Sequence, residues 1–443
     1  MGLSAVGTTT ISLLLVGGLL GAAPAPAAAP DERPAAAKRY TMVSVDAKGR
    51  PADNDAIGAS VSRDGRWVAF SSGATNLDRR TSPGQRQVYV RDNRTGKVRA
   101  VGADGRGRLA EFAETVSLSP NGRFVAYCST DELVGPDSSD FDDNTPHTDV
   151  FVRDLRTGAV RRASSAAGGG EADEYSCVPH VADTGDVAFF SRATNLVAGD
   201  TNGVPDYFLY DWGSRKVRRL ASAEIASGSV RISGDGRVVA VVTTEVLASR
   251  DSGTLPDVYV LSRGRGLRGT WSMPLTQGTG LPTDTGCGWT GLSISGTGRY
   301  VTGACADGGI AATPITDKLV HLWWADRRTG DVRLVNRTDD GNSEIDVAQV
   351  SDDGRRVFFG GDERAYARAA GERRAPYRGI FVWQRGDGAR SLTPGDAWWD
   401  DYGFDASGDG RTVVFASDSE AMGAPPPELD DSDLQLFSRR IGR

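Results

Sequence analysis

Val116-Ser-Leu-Ser-Pro-Asn-Gly-Arg-Phe-Val-Ala-Tyr127 and, after a long polar loop, Asp149-Val-Phe-Val-Arg-Asp-Leu-Arg-Thr-Gly-Ala-Val-Arg-Arg-Ala163 decide the fold. In each half, two short apolar runs meet at a turn, first at Asn121-Gly122 and then at Asp154-Leu-Arg-Thr-Gly158. Asn-Gly supplies the positive φ angles of a tight hairpin turn, so each pair of runs predicts two antiparallel strands. The stretch as a whole is a four-stranded unit.

The unit recurs. Asp-Gly-Arg-like turns centre on Gly65, Gly122, Gly185, Gly236, Gly298, Gly354 and Gly410, spaced by 57, 63, 51, 62, 56 and 56 residues. Each turn precedes an apolar run such as Trp67-Val-Ala-Phe70 or Val413-Val-Phe415. A third run follows each long loop: Val88-Tyr-Val90, Val150-Phe-Val152, Tyr207-Phe-Leu209, Val258-Tyr-Val260, Leu322-Trp-Trp324, Ile380-Phe-Val382 and Leu434-Gln-Leu436. A fourth is led by Val98, Val160, Val217 and Val332, and is degenerate in copies four and six. A lone four-stranded sheet cannot cover both of its apolar faces, so seven such units predict an all-β, seven-bladed propeller in which neighbours stack. Copy seven stops without a fourth strand, while Arg39-Tyr-Thr-Met-Val-Ser-Val-Asp-Ala-Lys-Gly49 matches the fourth-strand segment that begins at Val98. The N-terminal strand is therefore expected to complete the last blade and close the ring, which removes an exposed edge.

The Ser-x-Asp-Gly-Arg-x-Val-Ala-Phe and Val-Tyr-Val-x-Asp-x-x-Thr-Gly patterns resemble the WD40-like repeats of TolB-type exported bacterial propellers, over about residues 40–443. The resemblance implies the fold. It does not imply one activity, because such propellers serve as binding scaffolds and also as enzyme platforms.

Composition and ends agree with an exported β protein. Glycine makes up 56 of 443 residues, well above the usual ~7%, as many tight turns require. A net charge of −7, with arginines scattered through the repeats, argues against a nucleic-acid partner. Residues 1–29 are uncharged and carry the apolar run Ile11–Gly21 followed by Ala/Pro-rich sequence, like a secretory signal peptide that lacks its basic n-region. Residues 30–39 read as a linker and 40–443 as the propeller, a secreted monomer with no membrane span after processing.

Candidate sites cluster in two sets of loops that a propeller brings to one face. The segments before the inner strands carry Asp53, Asp55, Glu111, Glu114, Asp173, Glu174, Asp284, Glu344, Asp346, Asp400 and Asp401. A ring of carboxylates focuses negative potential and suits cationic partner segments. The plainer alternative is solvated acids that cap nearby backbone N–H groups. The loops before the third strands carry Asp200-Thr-Asn202-Gly-Val-Pro-Asp206, with aspartates six apart again at Asp143/Asp149 and Asp251/Asp257. Oxygen ligands at this spacing suit Ca²⁺, and the alternative is an aspartate that caps the turn. Four cysteines in an oxidising compartment predict Cys128–Cys177 across blades two and three, and Cys287–Cys305 within blade five.

No Gly-x-Ser-x-Gly elbow is present, and there are three histidines: His147, His180 and His321. The resulting expectation is a non-enzymatic scaffold that binds a protein or cell-envelope ligand at the acidic face, with Ca²⁺ stiffening its loops. The alternative is a hydrolase or lyase that acts on polysaccharide through rim carboxylates.

Overall fold

The computed structural model describes residues 40–134, 148–223, 230–247, 256–263, 291–305, 321–335, 345–361, 379–393, 399–417 and 434–442. The expected signal peptide, linker and Cys287 lie outside these residues. Among the described residues there are no helices, and the strands form seven antiparallel sheets. Blade two has Ala113–Leu118 innermost, then Phe124–Ser129, Asp149–Asp154 and Val160–Arg162. The chain is a seven-bladed β-propeller. Blade six keeps a fourth strand, Gly388–Ser391, where the sequence pattern had faded. Hydrogen bonding to the third strand needs only backbone, so Gly-Ala-Arg-Ser suffices. Blade four shows three strands among the described residues.

The ring closes as expected. Tyr40–Met42 pairs with Gln435–Arg440 in the register Tyr40↔Arg439. Val43 N donates to Leu436 O at 2.7 Å, and the Tyr40 hydroxyl donates to Leu392 O at 2.7 Å.

The repeated residues explain how blades stack. In blades one, two and five the arginine after the turn glycine pairs with the aspartate that ends the third strand: Arg66–Asp92 at 2.9 Å, Arg123–Asp154 at 2.7 Å and Arg299–Asp326 at 2.6 Å. Each guanidinium also lies over the next side chain, with centroid distances of 4.6 Å to Trp67, 4.7 Å to Phe124 and 4.8 Å to Tyr300. That ring receives the turn glycine of the following blade. A Cβ on Gly122 (φ 71°) would stand 2.4 Å from Trp67, and one on Gly354 (φ 66°) 2.5 Å from Tyr300. The glycine is needed twice over, for its backbone angle and for the contact.

The turns also bond to one another around the axis. Arg63 N donates to Pro120 O, Asp183 N to Gly234 O, Asp235 N to Gly296 O, Asp352 N to Gly408 O and Asp409 N to Arg63 O. Asn121 N to Asp183 Oδ1 (2.7 Å) and Gly296 N to Asp352 Oδ1 (2.5 Å) complete the seven junctions. Arg63 then reaches across the axis to Asp352 at 2.6 Å and toward Asp183 at 3.6 Å, spanning the turn-side end of the channel.

Candidate functional site

The inner strands set the site. Five residues before each turn glycine stands a polar residue: Ser60, Ser117, His180, Arg231, Ser293, Gln349 and Asp405. Ser60, Ser117, His180, Arg231, Gln349 and Asp405 line an axial channel of about 180 Å³. A bulge just upstream aims this position inward, with register shifts between Ile57 and Ser60, Glu114 and Ser117, and Cys177 and His180. Gly58 takes φ 67° at the first bulge, whereas Thr115 (φ 45°) and Val178 (φ 55°) occupy the equivalent positions in blades two and three. β-Branched side chains there store about 1–3 kcal/mol of strain each. Such strain persists where surrounding structure holds it, and Cys177, bonded to Cys128 with Cα atoms 5.5 Å apart, precedes Val178 directly.

At four junctions the ring residue is structural. Ser60 Oγ accepts from Leu118 N (3.0 Å), Ser117 Oγ from Val181 N (3.1 Å), Ser293 Oγ from Val350 N (3.1 Å) and Asp405 Oδ2 from Val61 N (2.7 Å). Among the described residues His180 and Arg231 accept no such bond from the next blade, and Arg231 Nη1 donates to Val230 O at 3.0 Å. No hydrogen bond to the His180 ring is present among the described residues. Burial, with Arg231 nearby, pushes its pKa well below the ordinary value, so the imidazole is neutral at pH 7. Burial lowers Arg231 to about 10, against the pull of Asp405, and it remains a cation. Asp405 is pushed up to about 6 by burial, despite accepting from Val61 N and Ala406 N. These three side chains are partly solvent-accessible by area, yet protein surrounds them on every side. The part of each that solvent reaches faces the channel. One neutral base, one cation and one readily protonated acid therefore share a narrow polar chamber.

Of the acids expected on the loop face, some hold backbone groups and others stand exposed. Asp53 accepts from Thr75 N (2.7 Å) and Oγ1 (2.6 Å), and Asp173 does the same with Thr194 N (2.8 Å) and Oγ1 (2.6 Å). Asp55 accepts from Leu434 N at 2.9 Å. These three cap backbone. Glu111 and Glu174 are exposed. Glu114 is half-buried at the loop end of its inner strand, and burial raises its pKa against the attraction of Arg86. Tyr175 stands near it, its own pKa raised by burial and then by Glu114. Asp284 and Glu344 lie outside the described residues, as do the side chains of Asp346, Asp400 and Asp401.

The six-apart aspartates are tied to the fourth strands. Asp206 pairs with Arg219 at 2.8 Å and accepts from Asn202 Nδ2 at 3.0 Å, so the amide presents its donor side. Asp200 adds a negative charge near Asp206, whose pKa burial raises. Asp149 pairs with Arg162 at 3.3 Å and accepts from Ser164 Oγ. Asp257 is buried at the start of its strand, while Asp143 and Asp251 lie outside the described residues. Among the described residues no group of three or more His, Cys, Asp or Glu is placed to hold a metal ion.

The Cys128–Cys177 pairing is as expected, and it suits an oxidising compartment. Cys287 and the Cys305 side chain lie outside the described residues. No described helix is long and apolar enough to cross a membrane.

No protein-family profile matches the chain, and no curated protein does. Solved structures share its fold. An oligogalacturonate lyase from Vibrio parahaemolyticus is 10% identical with a TM-score of 0.54, over 91% of this chain and 97% of that one. An acylaminoacyl peptidase from Pyrococcus horikoshii is 10% identical with a TM-score of 0.50, over 88% of this chain. The chain spans 52% of that peptidase's length. TolB from Acinetobacter baumannii is 17% identical with a TM-score of 0.35, over 63% of this chain and 53% of that one. At such identities the likeness concerns the fold.

It corrects one expectation all the same. The non-enzymatic scaffold rested on missing motifs, and the lyase and the peptidase are enzymes on this architecture. A propeller assembles polar groups one per blade, so a site of this kind leaves no contiguous motif to find. His180, Arg231 and Asp405 are the residues that motif reasoning passed over. Aligning the repeats on the turn glycine and reading the fifth residue upstream would have found them.

Proposed function

We propose that this propeller is a polysaccharide lyase that acts on acidic glycans by β-elimination, with its chemistry at the axial channel. The observation that carries it is the channel ring, in which His180 and Arg231 stand where four other blades use a side chain that accepts from the next blade's backbone. Hydrolysis by paired carboxylates requires two acids across the scissile bond. The channel lining holds Asp405 and Asp352, and Asp352 is tied up by Arg63 at 2.6 Å, so elimination fits better.

In that reaction Arg231 would bind the uronate carboxylate through its planar fork and stabilise the charge that develops there as the α-proton leaves. The neutral His180 imidazole would accept that proton. The bond from the β-carbon to the glycosidic oxygen breaks, the carbon–carbon double bond forms, and the leaving oxygen takes a proton from Asp405 or water. The chamber has the volume of about six waters, the scale of one small polar group or ring. Glu114 and Tyr175 would meet the incoming chain at the loop end, since Arg63 spans the other. The disulfide and the signal-like N-terminus support an extracytoplasmic setting, and the repeat pattern supports kinship with TolB-type propellers.

The test is incubation with oligogalacturonates and with neutral oligosaccharides of equal length. An ultraviolet-absorbing unsaturated uronate should appear from the acidic series alone. His180→Ala and Arg231→Gln should each lower the rate by about 10²–10⁴-fold. Reducing ends without unsaturation, or full activity in both variants, would sink the proposal.

A further inference from the structure

On the turn side of the propeller, the pairing seen in blades one, two and five is missing, among the described residues, from the other four, two of which, blades six and seven, are neighbours. Blades six and seven keep the arginine after the turn glycine, Arg355 and Arg411, but lose its acid. Gln384, opposite Arg356, and Arg440, opposite Thr412, hold the register that Asp92 holds opposite Trp67. A cleft of about 1200 Å³ opens at this place, lined by Arg299, Arg355, Arg356, Arg385 and Arg411.

Two of the five arginines are committed to the framework. Arg299 pairs with Asp326, and Arg356 donates to Gly410 O (2.7 Å) and Gly442 O (2.8 Å). The acids in the cleft are also occupied. Asp352 holds Arg63, Asp353 accepts from Ser351 Oγ (2.7 Å) and Arg355 N (2.9 Å), and Asp409 accepts from Ser407 Oγ (2.7 Å) and Arg411 N (2.9 Å). Arg355 lies 4.0 Å from Asp353 with both side chains exposed, a pair worth little. Arg385 lies 5.5 Å from the Trp324 ring centroid, and neither its guanidinium nor that of Arg411 has a hydrogen-bonded acceptor among the described residues. Beside the cleft, burial and then the charges of Arg439 and Arg356 hold Arg390 below its ordinary pKa, so positive potential continues outward. This concentration of cations sits in a chain of net charge −7.

We propose that this cleft is a polyanion site that binds an acidic glycan through Arg355, Arg385 and Arg411, on the side of the propeller away from the loop face. Guanidinium forks spaced along an open cleft match carboxylates repeated along a chain, each taken in two parallel hydrogen bonds. Thr297 and Gln384 line the same cleft and offer neutral hydrogen-bonding partners for sugar hydroxyls. The site shares its ligand class with the channel proposal and none of that proposal's residues.

The experiment measures binding of de-esterified polygalacturonate to full-length His180→Ala protein, so that no cleavage intervenes, at two salt concentrations. The doubly substituted Arg355→Gln/Arg411→Gln protein should bind at least tenfold more weakly, with a shallower salt dependence. Arg94→Gln/Arg156→Gln, which removes the same charge from other turns, should change binding less than twofold. Matching circular dichroism and thermal midpoints establish that all variants fold. Equal losses in the two double variants would overturn the proposal, as would tighter binding of a single-stranded oligonucleotide of equal charge. Binding by His180→Ala protein together with no elimination activity in the unsubstituted protein would refute the channel reading and leave this one standing.

Discussion

The Cys128–Cys177 bond spans 49 residues of chain, and removing it should be costly. Loop-closure entropy for that separation gives about 4 kcal/mol at 25 °C. A whole domain's stability is only about 5–15 kcal/mol, so the loss is a large share. Both cysteines are buried, Cys128 at 0% and Cys177 at 1% exposure, so Cys128→Ala/Cys177→Ala avoids leaving unsatisfied polar groups in the core. Urea unfolding of the oxidised protein and of this variant should show a lower midpoint for the variant. Its slope should be steeper, because the unfolded chain expands once the cross-link is gone. Reductant on the native protein should act slowly, since neither sulfur can be reached without local opening. The functional consequence follows from position. The bond fixes the strand one residue before Val178, whose strained backbone aims His180, so the variant should lose lyase rate beyond what its folded fraction accounts for. An unfolding free energy within about 0.5 kcal/mol of that of the oxidised protein would refute the entropic account. Unchanged turnover would refute the link to His180.

Gly122→Ala should destabilise by about 2–4 kcal/mol, from the left-handed backbone and the Trp67 contact together. Gly84→Ala, with φ 83° and nothing within 4 Å, should cost only the backbone share of about 1–2 kcal/mol, and the difference in urea midpoints measures inter-blade packing. Asp405 binds its proton more tightly folded than unfolded, so its contribution falls as the pH rises from about 4 to about 6. Asp405→Asn should flatten that slope by up to about 3 kcal/mol across the window. A stability–pH profile parallel to that of the unsubstituted protein would contradict the raised value.

Some features were legible because they depend on local pattern or on the period. The Gly-centred turns, the alternating runs and the match of residues 40–49 to a fourth strand specify both the blades and the closure. Cys128 and Cys177 lie at equivalent heights on neighbouring blades, which made theirs the favoured pairing among the three connectivities that four cysteines allow, and the structure joins them. Asp53 and Asp173 were legible as acids on one face, but their engagement with Thr75 and Thr194 was not, because each bond depends on how a loop folds back 21 or 22 residues later. The same holds for Asp206, whose partner Arg219 comes from the next strand.

The sequence by itself thus determined the scaffold: seven blades and an N-terminal strand that closes the ring. Each follows from short-range chemistry repeated at a near-constant interval. The tertiary structure alone decided which polar residues meet. His180, Arg231 and Asp405 are separated by 51 and 174 residues and converge because closure of the ring brings the same inner-strand position of each blade to the axis, helped by bulges in the strands of His180 and Asp405. Arg355 and Arg411 carry the same repeat signature as Arg66, and only the residues opposite Arg356 and Thr412 leave them without an acid. Convergence of this kind is set by closure of the whole ring, which no local stretch of sequence contains.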